Sequence, residues 1–165
     1  MGHVLTIERT FRTDHHKLFL DFVDPRKIEH WFYEEDYWTA QAEVDLKIRG
    51  KYRIEMVTDI GNSFVHYGEF LEFNPAHTKL KFTWNSGVVE NTIVDIEFRD
   101  LARARSMIRI HHGMFESESS RDKHELIWNK CLDHLEKYVE NPTPFPIYQD
   151  PDYKDSDDFE ETRAS

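Results

Sequence analysis

The sequence SSRDKHELIWNKCLDHLEKYV, residues 119–139, is the longest amphipathic helical pattern in the chain. Its apolar side chains recur at steps of three and four residues, which places them on one side of a helix. They are His124, Trp128, Cys131, Leu132, Leu135, Tyr138 and Val139. The Asn141-Pro142 pair predicts the end of this helix, because the residue before a proline is disfavoured in the helical region. Such a stripe requires an apolar partner, and we expect that partner to be a sheet formed upstream.

The preceding sequence predicts strands and two short helices. Residues 3–12 alternate with a period of two, and residues 14–23 have helical spacing. The Asp24-Pro25 pair stops the first helix and starts the second, with Asp24 as the cap. From residue 41 onward the alternation returns and predicts six more strands in meander order. The chain is therefore expected to be an α+β domain with an antiparallel sheet.

The alternating residues identify the inner face of most strands. The first hairpin is expected to place Val44, Leu46 and Ile48 on one face, followed by a turn at Arg49-Gly50. Residues 64–73 are apolar on both sides, so their faces stay open, and Gly68 is interpreted as the position of a bulge. The inward residues expected elsewhere are Leu5, Ile7, Phe11, Tyr52, Ile54, Met56, Leu80, Phe82, Trp84, Thr92, Val94, Ile96, Phe98, Ser106, Ile108, Ile110 and His112.

Four segments carry a resemblance to a known family. They are IERTFRTDHHKLFLDFVDP, AEVDLKIRGKYRIEM, GEFLEFNPAHTKLKFTW and HELIWNKCLDHLEKYV, in this order. The chain resembles homologues of the heat-shock protein 90 ATPase activator, within the START-like (SRPBCC) helix-grip superfamily. The resemblance implies a curved seven-stranded antiparallel sheet around the long C-terminal helix, with two short helices after the first strand and often a cavity between sheet and helix. Relatives often have glycine before the helix tryptophan, where this chain has Ile127.

Composition divides the chain into two parts. We predict a START-like domain over residues 1–140 and an acidic, proline-containing tail over residues 141–165. The tail has seven acidic and two basic residues and few apolar ones, so it is expected to be disordered.

Charge and cysteine content narrow the partners and the compartment. With 21 basic and 32 acidic residues, the formal net charge is −11. This acidic balance argues against nucleic acid or an anionic membrane surface as the main partner, because both bind proteins through clustered basic residues. No segment approaches the length of about 20 apolar residues that a membrane-spanning helix needs. One cysteine cannot form an internal disulfide, so we expect a cytoplasmic protein without membrane insertion.

The candidate ligand-binding residues are mostly aromatic side chains expected near the space between sheet and helix. They are Trp31, Trp38, Tyr52, His66, Glu69, Trp84, His112, Trp128 and Cys131. Such a set is typical of a small-molecule site, and equally of a well-filled core. His112 is interpreted either as a ligand contact or as a satisfied core histidine, and Cys131 as a small apolar core residue. Arg9 is expected in a structural ion pair, for which Glu69 is one candidate partner.

No catalytic or cofactor motif is found in the sequence. The H-E-x-x-H, paired-cysteine, G-x-S-x-G and P-loop patterns are absent. The adjacent pairs His15-His16 and His111-His112 point in different directions, so neither predicts a metal site, and we expect no cofactor.

Three functional hypotheses follow. The first is non-enzymatic binding of a hydrophobic or aromatic small molecule between sheet and helix, with His112, Tyr52 and Glu69 orienting polar ends. The second is a protein-interaction or cochaperone-like module with a filled core and a chaperone as a possible kind of partner. The third is a cyclase- or dehydratase-like enzyme, which needs at least two polar groups near one substrate position.

Overall fold

The computed structural model describes residues 2–141 and shows the α+β helix-grip fold. Its elements are β1 (His3–Phe11), α1 (His15–Val23), α2 (Pro25–Ile28), β2 (Thr39–Val44), β3 (Lys51–Val57), β4 (Ser63–Phe73), β5 (Lys79–Trp84), β6 (Thr92–Leu101), β7 (Arg105–Phe115) and α3 (Glu118–Glu140). The seven strands form one antiparallel sheet in the order β1-β7-β6-β5-β4-β3-β2. The predicted fold class is thereby confirmed, whereas residues 142–165 of the tail predicted over 141–165 lie outside the described residues.

The core lies between the inner face of the sheet and α3. The alternation predicted for β3, β5, β6 and β7 is confirmed, since every residue assigned to their inner faces is buried. The stripe of α3 is buried from His124 to Tyr138. This helix begins after Ser117, whose side chain accepts a hydrogen bond from the backbone N–H of Ser120, and it ends at Asn141 as predicted.

The two short helices close one end of the sheet. Asp14 caps α1 by accepting from the N–H of Lys17, and Asp24 caps α2 by accepting from the N–H of Arg26. After α2 the chain turns back, and the indole of Trp31 donates to the carbonyl oxygen of Asp21 at 2.8 Å. This bond fixes Trp31 and the segment that follows it against the core.

The first hairpin differs from its prediction. β2 ends at Val44, so Leu46 and Ile48 lie in the loop, with 39% and 53% of their surface exposed. Short backbone hydrogen bonds within residues 45–51 close this loop. Gly50 is required there, because a Cβ atom would lie 2.0 Å from the carbonyl oxygen of Asp45. The turn is therefore longer than the alternating pattern indicated.

β4 also corrects one sequence interpretation. Its pairing with β3 is regular through Gly68, and the register shift lies between Phe70 and Glu72 on the side of β5. Gly68 is instead a point of close approach, since a Cβ atom would lie 2.0 Å from the carbonyl oxygen of Thr83. The inward residues of this strand include His66 and Phe70, both buried.

An ion pair joins β1 to α3. The guanidinium of Arg9 lies 2.7 Å from the carboxylate of Asp133 and 3.4 Å from that of Glu136. The structural role predicted for Arg9 is confirmed, but its partners lie on the helix. Glu69, the partner considered from sequence, lies 3.9 Å from Arg49.

Candidate functional site

The interior between sheet and α3 is almost filled. The enclosed space there measures about 30 Å³, which holds on the order of one or two water molecules. Four of the predicted site residues surround it: Trp31, Tyr52, Trp84 and Trp128. The hydroxyl of Tyr52 donates to the carbonyl oxygen of Thr83 at 2.6 Å, so its polar end is already engaged.

His112 belongs to a buried hydrogen-bond relay. The indole N–H of Trp128 donates to Nδ1 of His112 at 3.0 Å. Because an indole N–H only donates, Nδ1 accepts and the ring proton is on Nε2. Nε2 lies 2.9 Å from the hydroxyl of Thr92, which in turn donates to the carbonyl oxygen of Trp84 at 2.7 Å. Each polar group in the relay has a partner.

Burial also makes the side chains of His112 and Cys131 unreactive. Desolvation lowers the pKa of His112 well below its ordinary value, so the ring is neutral, and both its nitrogens are already bonded. Desolvation likewise raises the pKa of the Cys131 thiol well above its ordinary value. What these groups contribute is packing and fixed geometry.

A much larger space lies beside the N-terminal half of α3. This groove measures about 550 Å³ and is bounded by residues 34–38, β4, the loop after β5 and α3. Its lining includes Glu34, Trp38, Phe64, His66, Val88, Lys123, His124 and Ile127. Four of them, Trp38, Phe64, Val88 and Ile127, make an apolar wall of the kind found in small-molecule sites.

The groove's outer wall is an aromatic stack held in place from α3. The rings of Trp38 and Phe64 stack with centroids 5.7 Å apart. The segment before Trp38 is tied to the helix, since Lys130 lies 2.8 Å from the carboxylate of Glu35. The ring of His134 lies 2.7 Å from the carboxylate of Asp36 and 2.8 Å from the carbonyl oxygen of Tyr33. These bonds fix the position of the wall relative to α3.

Two buried histidines are among the polar residues that line the groove. His66 is 4% exposed, and its Nδ1 has no hydrogen-bond partner among residues 2–141. His124 is also buried, and its Nδ1 lies 2.8 Å from the carbonyl oxygen of Ser120. A carbonyl oxygen only accepts, so Nδ1 of His124 carries the proton. Nε2 of His124, on the opposite edge of the ring, has no partner within the described range.

Burial keeps both rings neutral. Desolvation lowers the pKa of His66 to about 4, helped by the nearby His124. Desolvation also lowers the pKa of His124 from its ordinary value. Neutral imidazoles in an apolar groove act as hydrogen-bonding groups near pH 7, and His66 is too weakly basic to take up a proton there.

The sequence-predicted residues fall in several places. Trp31, Tyr52, Trp84 and Trp128 surround the small enclosed space, and Trp38 and His66 line the groove. His112 and Cys131 are fully buried, and Glu69 lies away from both spaces beside Arg49. Sequence reasoning did not select Phe64, Val88, His124 and Ile127, although His124 is in the helix stripe and Ile127 is the departure from the relatives' glycine.

Residues 2–141 contain neither a metal-binding cluster nor a helix suited to cross a membrane. No three His, Cys, Asp or Glu side chains in this range are placed to hold a metal ion together. None of the helices in the same range has both the length and the apolarity needed to cross a bilayer.

The family of the chain follows from comparison with known proteins. A family model for activator of Hsp90 ATPase homolog 1-like proteins matches residues 12–140. The chain belongs to this family. No curated protein matches it. Together, the activator-homologue family and the helix-grip fold indicate a ligand-binding or interaction module in general.

Solved structures agree with this fold. Protein CV1439 from Chromobacterium violaceum aligns with a TM-score of 0.73 at 19% identity, covering 83% of this chain and 96% of that one. An AHSA1-like protein from Aeromonas hydrophila aligns with a TM-score of 0.70 at 22% identity, covering 84% and 92%. Protein NE0264 from Nitrosomonas europaea gives 0.68 at 21% identity, covering 83% and 94%. At these identities the likeness shows the activator-homologue fold and nothing finer.

Proposed function

We propose that the protein binds an apolar small molecule in the groove beside α3, without catalysing a reaction on it. The observation that carries this proposal is the pair of buried, neutral histidines whose Nδ1 (His66) and Nε2 (His124) lack partners among residues 2–141. Buried polar atoms are almost always hydrogen-bonded in folded proteins. A ligand seated in the groove would supply the missing partners while its body contacts the apolar wall.

The size and chemistry of the groove support a small organic ligand. Its volume of about 550 Å³ lies within the usual range for ligand pockets, roughly 300–1,000 Å³. The Trp38–Phe64 stack offers a flat apolar surface, and Val88 and Ile127 add aliphatic contacts. The enclosed space of about 30 Å³ is too small for such a molecule. The proposal therefore places the ligand at the opening between sheet and helix and keeps Trp38 and His66 from the predicted site.

The proposal does not include catalysis, because the buried histidines are poorly suited to exchange a proton with a substrate. A cyclase- or dehydratase-like reaction needs a group that exchanges a proton near neutral pH at the substrate. His66, with a pKa of about 4, is a weak base, and both ring nitrogens of His112 are bonded. The groove is thus better suited to holding a molecule than to transforming it.

Binding is tested with N-phenyl-1-naphthylamine, a neutral fluorophore whose emission rises in apolar surroundings. We expect saturable fluorescence with the full chain and a dissociation constant raised roughly five- to tenfold by Phe64→Ala, because the ring stack is lost. Ile60→Ala is the matched control, since Ile60 is exposed in the turn before β4 and does not line the groove. Equal affinities for both variants would place the fluorophore elsewhere and contradict the proposal.

A second candidate function is a protein-interaction module, favoured by the nearly filled interior. The chain carries a formal net charge of −11, so a partner with a basic surface would be attracted. A chaperone is the partner proposed from the family's name, and a cytoplasmic location, expected from the single cysteine, stays a prediction.

This candidate is tested by titrating purified Hsp90 into the full chain at low and high salt in a calorimeter. Binding that weakens with added salt would support it, because charge attraction is screened. No heat at low salt would contradict it. A chain ending at Asn141 tests whether the tail takes part.

A further inference from the structure

The free nitrogens of the groove restrict the chemistry of the ligand's polar end. Nδ1 of His124 donates to the carbonyl oxygen of Ser120, so the neutral ring has a lone pair and no proton on Nε2. Nε2 is buried and has no partner within residues 2–141. A ligand group that satisfies it must carry a hydrogen atom to donate.

The second groove histidine with an unpartnered nitrogen is His66. Nδ1 of His66 has no partner in the described part of the chain. His66 is free to adopt the tautomer with a proton on Nδ1, and it then donates to an acceptor. A hydroxyl group both donates and accepts, whereas a purely accepting group offers no hydrogen to Nε2 of His124.

The charges around the groove do not favour an anion. Its charged lining residues are Glu34 and Lys123, one of each sign. Burial raises the pKa of Glu34, and the charges of Lys130 and Lys123 oppose this rise only in part. Lys123 is exposed, whereas Glu34 is half-buried. A carboxylate ligand would bring only acceptors to His124 and would meet no buried cation to offset its desolvation.

From this arrangement we infer that the groove selects apolar molecules bearing a neutral hydroxyl or N–H group, which donates its hydrogen to Nε2 of His124. This inference rests on the proposed small-molecule function and names the ligand class of that same site. An ether or a carboxylate of the same size leaves the Nε2 lone pair unsatisfied. Removing one partner of a buried hydrogen bond weakens binding, here by about tenfold.

The test compares three naphthalenes of similar size on the full, unaltered chain: 2-naphthol, 2-methoxynaphthalene and naphthalene-2-carboxylate. Their dissociation constants are measured by following backbone amide signals of groove residues in NMR titrations. We expect 2-naphthol to bind about tenfold more tightly than the methyl ether, which lacks the donor, and more tightly than the carboxylate. The ¹⁵N signal of Nε2 of His124 is expected to move with 2-naphthol and not with the ether.

A variant tests the contribution of His124 to this selectivity. His124→Phe keeps an aromatic ring but has no acceptor, so 2-naphthol should lose its advantage over the methyl ether. If this variant does not fold, the ligand comparison and the ¹⁵N signal of the unaltered chain still decide the matter. Equal affinities for all three probes in the groove, or tightest binding of the carboxylate, would overturn the inference and leave the binding function standing. If no probe perturbs the groove, the proposed function itself fails.

Discussion

At the scale of single residues, three of the buried histidines differ in their hydrogen bonding. His112 is bonded at both nitrogens by groups that the core supplies, namely Trp128 and Thr92. His66 and His124 each keep one nitrogen without a partner among residues 2–141. Because the cost of an unsatisfied buried group is larger than the gain from a satisfied one, the first residue stabilises the fold and the other two suit a binding role.

The relay yields a stability prediction. His112→Phe removes the acceptor for the indole N–H of Trp128 and leaves that donor buried without a partner. We expect the free energy of unfolding, measured by urea denaturation, to fall by about 1–3 kcal/mol. The control is His111→Phe at the adjacent, exposed position of β7, where Nδ1 of the ring lies 3.1 Å from the hydroxyl of Thr6. A similar loss in both variants would mean that the relay contributes no stability of its own.

Burial of His66 gives a pH dependence whose sign is fixed. The pKa is about 4 in the folded protein against an ordinary value of 6.5. Between these values the unfolded chain binds a proton that the folded protein does not, so stability falls as the pH drops from 6.5 towards 4. Above pH 6.5 the ring is neutral in both states, and below pH 4 the difference no longer grows.

The corresponding experiment compares the full chain with His66→Phe across this range by urea denaturation. The variant should lose roughly 1–3 kcal/mol less stability between pH 6.5 and 4, since its ring does not titrate. The relevant quantity is the difference in free energy of unfolding between the two proteins at each pH, because carboxylates titrate in the same range in both. Parallel curves for the two proteins would show that the burial of His66 does not govern acid stability.

At the scale of elements, the sheet and α3 are joined at their edge by Arg9. We expect Arg9→Met, which keeps an apolar stem, to lower the free energy of unfolding by about 1 kcal/mol, because Asp133 and Glu136 are largely exposed. Asp133→Asn should cost less in that background than alone, which a double-mutant cycle measures. Arg12→Met, at an exposed position after β1, is the control. Additive losses for Arg9 and Asp133 would exclude their coupling.

Periodicity predicted the elements wherever one face of a strand is buried and the other is exposed. β5 and β6 are clear cases, with Leu80 and Val94 at inward positions. It failed for Leu46 and Ile48, because the close approach at Gly50 turns the chain and no local pattern signals that contact. It left the faces of β4 open because that strand is apolar on both sides, which only its pairing with β3 and β5 resolves.

At the scale of the whole molecule, large aromatic side chains fill the space that the fold encloses and leave a groove at its opening. The sequence indicated the aromatic content but not the volume that the fold encloses, so both a cavity and a filled core stayed compatible with it. The groove escaped prediction because residues from distant segments meet there. Phe64 on β4, Val88 in a loop and His124 on α3 share no local pattern.

Ile127 lines the groove, and the next residue of α3, Trp128, lines the enclosed space. We expect Ile127→Ala to enlarge the groove towards the interior and to raise the affinity for N-phenyl-1-naphthylamine relative to the smaller 2-naphthol. Stability should fall by about 1–2 kcal/mol, because the residue is half-buried.

Leu126→Ala is the matched control for this change, on the same helix turn but 57% exposed. It removes a side chain of equal size that neither space uses, so both the affinity ratio of the two probes and the urea midpoint should stay close to those of the unaltered chain. Fluorescence titration gives the first quantity and urea denaturation the second. An affinity ratio that is the same in both variants would mean that Ile127 does not limit the size of the ligand, and that the wall of Trp38 and Phe64 sets it instead.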